Sequence, residues 1–555
     1  MIRFGLIVLI LVASLLAAST WRVYGHTWDE PEHLAAGLEL LDRGKYEYDT
    51  EHPPIARIMI ALGPYLAGSH SYGTPPPDGV QEGIDILYEG GHYDRTLTLA
   101  RLGTLPFLAL LLVATWLWAR RTSESEGEAL LAVVLLASVP PIIGHAALAA
   151  LDIPGTATSL LALYLLQNWL ESGTKGDAVL FGLAAGLAVG TKLSAVPFIG
   201  LGMLVLALAR VLARAPPAPV RFGGRLWGMV LCALGAMVPI VLAYGHRSIE
   251  LTELPPRFDW VMGYLFSGPD ASHGTLYELL SSVRLPEAMW DLAEGVVALK
   301  AHNDTGHLSF LLGHLKAGGW WYFYLVALAV KTPLPLLITG LPGMCLLARD
   351  GWRERNPWRL APLVLFLTLL AFASLFSRIN IGIRHVLILY PFMALGAAYL
   401  LALAWRRFGP APGKAIVAGL LAWQVGGLAL ASPDYLPYFN ESVRHPERVL
   451  VDSDLDWGQD LKRLERRLAE LNVPSVSLAY QGTADLTKEP LPSFVRLPPR
   501  KRATGWVAIT ALTREHEAAG YAWLDAYRPV ERIGKTIDLY DIPPQPGDTL
   551  GGGRM

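Results

Sequence analysis

Hydrophobic positions fall into long uninterrupted runs separated by short polar connections. Apolar stretches lie near residues 4–20, 96–118, 127–145, 154–170, 178–191, 194–212, 226–245, 332–348, 360–376, 385–404 and 414–431. Most approach the roughly 17–25 residues that cross a bilayer, so the pattern predicts an α-helical integral membrane protein with about eleven transmembrane helices. After residue 432 the pattern changes. Charged residues occur throughout, with strand-length apolar runs at 449–451, 476–480, 506–509 and 537–540. Leu461, Leu464, Leu468 and Leu471 recur at three- and four-residue steps, which predicts an amphipathic helix over about 457–471 with a charged opposite face. Two regions are therefore expected: a transmembrane domain, 1–432, and a small soluble α/β domain, 433–555.

Basic residues set the expected orientation. Arg3, Arg120, Arg121, Lys175, Arg210, Arg214, Arg221, Arg225, Arg349, Arg353, Arg406 and Arg407 fall in every second connection, as the positive-inside rule requires of a cytoplasmic face. The N-terminus is then cytoplasmic. The first loop, 21–95, the loop 246–331 and the C-terminal domain share the outer face of a bacterial-type plasma membrane. Arg3, the apolar core and Ala17-Ala18-Ser19 also fit a cleaved signal peptide. Retention is the expected state, because it anchors the first loop at both ends and preserves the alternation of basic connections.

Composition agrees with membrane insertion: 52% of residues are hydrophobic and 17% charged, with mean hydropathy +0.36. The net charge of −2 comes without any basic block suited to nucleic acid. Cys232 and Cys345 sit inside apolar runs and imply neither a disulfide framework nor a Cys-based metal site.

The chemistry concentrates in the first loop. Asp29, Glu30 and Glu32 stand within four positions, where mutual repulsion and partial burial can raise one carboxylate toward base strength. The alternative is a helix start, since acids favour a first turn and Pro31 suits its opening. Further on, His52-Pro53-Pro54-Ile55 forms a rigid extended elbow before a helical pattern resumes at Arg57. Asp152 stands where the chain re-enters the membrane, a capping position. Asp452, Asp454, Asp456 and Asp460 suggest a metal loop, but Gly458 falls one position late for an EF-hand and Arg463 replaces the terminal acid. A strand-to-helix turn is expected there instead. No metal site is assigned and no cofactor is required by the sequence; a divalent metal is possible but unsupported.

The run Asp29-Glu30-Pro31-Glu32-His33, followed by His52-Pro53-Pro54-Ile55-Ala56-Arg57, resembles the first outer loop of the protein O-mannosyltransferases, members of the GT-C glycosyltransferases. That family carries an Asp-Glu pair and a His-Pro-Pro-Leu-Gly-Lys elbow, whose last three positions are here Ile55, Ala56 and Arg57. The related lipid A aminoarabinose transferases share the Asp-Glu start, but keep an Arg where this chain has Glu32, which argues against aminoarabinose as the sugar. Ala100-Arg101-Leu102 and Leu151-Asp152-Ile153-Pro154 extend the likeness through about residue 210. The loop 246–331 is too short for the β-trefoil domain of the eukaryotic enzymes.

The resemblance implies an inverting glycosyltransferase using a polyprenyl-phosphate sugar donor at the lipid–water boundary. A protein or a lipid or glycan would supply the acceptor hydroxyl. Asp29 would act as base, with Glu30 beside it. His52, Arg57, Arg101, Asp152, Lys331, Arg384 and His385 would bind donor phosphate or substrate, with Arg378 and the less favoured Lys192 as further cations. A polytopic transporter or lipid-binding receptor is the alternative. It would not need an acidic pair beside a proline elbow on one face, and no inverted repeat is visible. A mere scaffold for the C-terminal domain would leave the loop motif unexplained.

Overall fold

The computed structural model describes residues 2–73, 78–123, 125–216, 222–245, 248–250 and 284–544. Arg221 and much of the loop 246–331 lie outside the described residues. Each of the eleven apolar stretches is helical. They form α1 (Ile2–Ser19), α5 and α6 (Tyr93–Leu102, Leu105–Thr122), α7 and α8 (Glu126–Ala137, Pro140–Ala146), α9 (Asp152–Ser172), α10 (Lys175–Val189), α11 (Ala195–Leu212) and α12 (Phe222–Tyr244). After α13 (Glu287–Thr305) and α14 (Phe323–Lys331) come α15 (Leu334–Glu354), α16 (Pro357–Phe376), α17 (Leu389–Phe408) and α18 (Pro410–Ala431). Six helices among the described residues are long and apolar enough to cross a membrane by themselves, or seven with the bent pair α7–α8 counted as one span. The chain is a multi-pass integral membrane protein. Pro140 and Pro141 explain the bend, because neither can donate the backbone hydrogen bond that would continue α7.

Small residues bring the helices together. A Cβ on Gly182 or Gly186 of α10 would stand 2.3 or 2.0 Å from a carbonyl oxygen of α12, and one on Gly343 of α15 would stand 1.9 Å from the Gly396 carbonyl of α17. Only glycine allows backbones to approach this closely, the packing mode that replaces hydrophobic drive within lipid.

The first loop folds into three further helices, α2 (Glu30–Leu38), α3 (Pro54–Leu66) and α4 (Gly79–Tyr88). At the other end of the chain, α19 (Asp452–Leu455) and α20 (Leu461–Glu470) lead into a five-stranded mixed sheet. A hairpin of β1 (Leu308–Leu311) and β2 (His314–Ala317) precedes it in the chain. The sheet comprises β3 (Ser475–Ala479), β4 (Ser493–Arg496), β5 (Gly505–Thr510), β6 (Glu531–Ile533) and β7 (Ile537–Ile542), in the order β4-β3-β5-β7-β6. Strand β3 runs parallel to β4 and β5; β7 is antiparallel to β5 and β6. Leu461, Leu464 and Leu468 of α20 bury against this sheet, as the leucine spacing predicts.

The run 449–451 differs from expectation. Leu450 and Val451 are buried, but the Val449 and Leu450 N–H groups both bond back to the Pro446 carbonyl, so this backbone is committed before any strand could pair. The C-terminal segment is also tied to the membrane part. Lys331 Nζ, at the end of α14, donates to the Leu436 and Asp454 carbonyls at 2.9 and 2.6 Å, and Gly25 N–H donates to Gln459 O at 2.9 Å.

Candidate active site

Asp29 occupies the position preceding α2, but its side chain makes no capping hydrogen bond. Its Oδ2 instead accepts from Arg384 Nη1 at 2.6 Å. Arg384 projects from the 3-10 turn Ile383–Val386 that leads into α17. Its guanidinium lies 4.4 Å from the centre of the Trp457 ring, which the C-terminal segment supplies. The first loop, the Arg384 turn and the C-terminal segment thus meet beside one carboxylate.

Glu30 is placed differently from expectation. It is fully buried, receives both Arg101 Nε and Nη2 at 2.7 and 2.8 Å, and accepts from Thr27 and Ala149 N–H at 2.7 and 2.8 Å. Burial alone would raise this carboxyl, but the Arg101 charge outweighs it and holds the group below the usual range. Glu30 and Arg101 therefore pin the first loop to α5 and to the turn before α9, and neither lines the cavity.

The proline elbow has the expected geometry. Pro53 is extended (φ −68°, ψ 158°) and Pro54 opens α3. One turn later Arg57 is fully buried, donating to Tyr46 Oη and the Asp49 carbonyl, each at 2.9 Å, and to the Asp49 carboxylate. Every direction open to it is occupied by the loop itself, so the expected phosphate role gives way to loop bracing. Asp49, which the sequence did not mark, also receives His52 Nδ1 at 2.9 Å. Burial would raise its carboxyl, yet Arg57 and His52 hold it well down. Lys331 is likewise withdrawn, 1% exposed and committed to two carbonyls, so it joins α14 to the C-terminal segment instead of facing a phosphate.

A cavity of about 1070 Å³ opens beside Asp29. Its polar lining includes Asp29, Glu32, Asp49, His52, Lys192, Arg384, His385 and Asp452. Burial pushes Glu32 up to about 7. The cavity's apolar lining comes from Leu193, Pro197 and Phe198, from Val296 and Leu299 of α13 and from Phe372, Ala373 and Phe376 of α16. Arg378 is on the rim and donates to the Asp304 carbonyl at 3.2 Å.

A small recess off this cavity is shared by Asp152, Lys192, Arg384 and His385. Lys192 Nζ pairs with Asp152 at 2.6 Å. Asp152 is the first residue of α9 and serves as the lysine's counter-ion, with His145 3.7 Å away, instead of capping the helix. Burial, reinforced by Arg384, pushes the His385 imidazole well down, so at neutral pH it is uncharged and offers a hydrogen bond; its Nδ1 lies 3.2 Å from Tyr324 Oη. Lys192, the least favoured cation in the sequence, is thus brought to the site, while Arg57, Arg101 and Lys331 are not.

The four C-terminal acids do not converge. Asp454 accepts from Ile383 N–H, Asp456 from Leu512 N–H and Asp460 from Thr536 Oγ1, while Asp452 faces the cavity. Among the described residues no group of three His, Cys, Asp or Glu side chains stands close enough to hold a metal ion.

Residues 94–241 match the family model of the dolichyl-phosphate-mannose-protein mannosyltransferases. The chain resembles the GT-C glycosyltransferases of this type. The match covers roughly a quarter of the chain and begins after the Asp29 loop and the proline elbow. No curated protein matches the chain. Among solved structures, ArnT from Cupriavidus metallidurans bound to undecaprenyl phosphate is 13% identical over 96% of this chain and 97% of that one, with a TM-score of 0.45. The Saccharomyces cerevisiae O-mannosyltransferase Pmt1-Pmt2 complex bound to the sugar donor is 11% identical over 78% and 90%, at 0.48. The Archaeoglobus fulgidus oligosaccharyltransferase AglB, in complex with an inhibitory peptide and a dolichol-phosphate, is 12% identical over 78% and 55%, at 0.45.

Proposed function

We propose that this chain is an inverting glycosyltransferase that moves a hexose from a polyprenyl-phosphate donor to an acceptor hydroxyl on a protein, lipid or glycan. The reaction takes place at the extracytoplasmic face of a bacterial-type plasma membrane, with the N-terminus cytoplasmic and the domain 433–555 on the same face as the site. One observation carries the reading: a single cavity is lined by the Asp29 carboxylate with other acids, by cations that include Arg384 and Lys192, and by apolar side chains of α11, α13 and α16. That combination suits a substrate with a sugar, a phosphate and an isoprenoid tail. The matched family's name points to the same donor class.

Chemically, the acceptor oxygen attacks the anomeric carbon while the bond from that carbon to the phosphate oxygen breaks. The electron pair leaves with the lipid phosphate, and the acceptor proton passes to Asp29. Because a phosphate monoester is a stable leaving anion, its departure calls for positive charge instead of a general acid. Arg384 and Lys192 supply that charge, and His385 adds a neutral donor. A single displacement on one carboxylate inverts the anomeric configuration.

The test uses membranes containing the full chain and tritiated undecaprenyl-phosphate mannose. Label that moves from the lipid to a lipid-free or membrane acceptor fraction, only when the chain is present, supports the reading. Label that binds but never leaves the lipid would identify a receptor and overturn it.

A further inference from the structure

The acid run at 452–460 has one member that does not serve the fold. Asp454, Asp456 and Asp460 each accept backbone or hydroxyl hydrogen bonds, whereas Asp452 Oδ2 is buried with no hydrogen-bond partner among the described residues. Buried polar atoms are rarely left so, and each one calls for an explanation. The backbone at Asp452 adds a second anomaly: its φ of +42° lies in the left-handed region that side-chain-bearing residues seldom adopt. What holds it there is explicit. Ser453 Oγ donates to the Ile381 carbonyl at 2.5 Å, Lys331 holds the Asp454 carbonyl at 2.6 Å, and Ile383 N–H holds the Asp454 carboxylate at 3.0 Å. This turn is therefore clamped to the loop that carries Arg384, and the clamp presents Asp452 to the cavity. Arg384 Nε is also buried without a partner, and Arg384 is the strongest charge acting on Asp452.

An unused acceptor and an unused donor in one pocket fit a ligand group that can both donate and accept, which is the property of a hydroxyl. Resting on the glycosyltransferase reading, we infer that Asp452 binds the acceptor substrate, its carboxylate accepting a hydrogen bond from the acceptor's hydroxyl and holding that oxygen against Asp29. The C-terminal segment then completes the active site, and the acceptor enters between it and the first loop. The charged groups facing Asp452 are Arg384, Asp29, Asp454 and Asp456, and His516 lines the same cavity. Burial pushes the Asp452 carboxyl up to about 7, so the ionised, accepting form is lost as pH falls through that value.

The experiment compares the full-length protein with Asp452→Asn and Asp452→Gly, the glycine removing the carboxylate while suiting the left-handed backbone. Binding of undecaprenyl phosphate is measured first, then transfer of label from undecaprenyl-phosphate mannose with total membrane extract as acceptor source. Both variants should bind the lipid as the parent does and transfer roughly ten- to hundredfold more slowly, the loss expected for a hydrogen bond to a charged group. The parent's rate should rise between about pH 6 and about pH 8. Asp452→Asn should abolish that rise and Glu32→Gln should leave its midpoint in place. Parental transfer in either variant, lost lipid binding in both, or a midpoint that vanishes in Glu32→Gln would each overturn the assignment. A parent that transfers nothing fails the glycosyltransferase reading, and this inference with it.

Discussion

Asp29 and Glu30 are neighbours in sequence with opposite fates. Asp29 keeps one carboxylate oxygen engaged with Arg384 at the cavity wall, and Glu30 turns inward to a bidentate arginine. Removing one partner of a buried pair leaves an uncompensated charge, which costs about 3–5 kcal/mol. Glu30→Ala should therefore lower the thermal midpoint of the purified protein sharply, and an unchanged midpoint would refute the pinning role. Lys192→Ala strands its buried counter-ion Asp152 and should also cost stability; in the protein that folds, undecaprenyl phosphate binding should weaken about tenfold, as loss of a charged hydrogen bond predicts, and equal binding isotherms would remove Lys192 from the recess. Asp29 stood out in the sequence because acids beside a proline elbow are an unusual local pattern. Lys192 did not, because only the packing of the α10–α11 turn against Asp152 gives it a destination.

At the scale of elements, period was the legible quantity. Leucines at steps of three and four marked α20, and alternating apolar stretches marked the membrane helices. Strands β4 and β6 escaped because their exposed, charged residues carry no continuous apolar run. The same helix supplies a pH prediction. Burial raises the Glu465 carboxyl strongly, and hydrogen bonding to Glu489 adds to the rise. A carboxyl raised in the folded state binds more protons there than in the unfolded chain, so its contribution to stability is lost as pH rises through the unfolded value, about 4.3, toward the folded one. Glu465→Gln should raise the thermal midpoint at about pH 8 and leave it nearly unchanged at about pH 4. A midpoint insensitive to the substitution at both would remove the argument.

For the whole molecule, the decisive feature is a cavity that no single stretch of sequence contains. The first loop, the α10–α11 turn, α13, α16, the Arg384 turn and the C-terminal segment each supply part of its lining. Sequence could place charges at the ends of spans; it could not say which would turn into the cavity and which into the protein, since that depends on the contacts each side chain meets after folding. The apolar part of the lining gives a molecular-scale prediction. Ala373→Trp would fill space beside Phe198 and Phe372, which line the same cavity. It should weaken binding of undecaprenyl phosphate while sparing a short-chain isoprenoid phosphate. Equal weakening of both would place the tail elsewhere.

The central claim is that Asp29 removes the acceptor proton during sugar transfer from a lipid phosphate. Its most direct test is the single-turnover rate of label leaving undecaprenyl-phosphate mannose in the purified Asp29→Asn protein, at donor concentrations that saturate both it and the parent. Loss of a general base predicts a fall of roughly a hundredfold or more with donor binding retained. An undiminished rate would contradict the account.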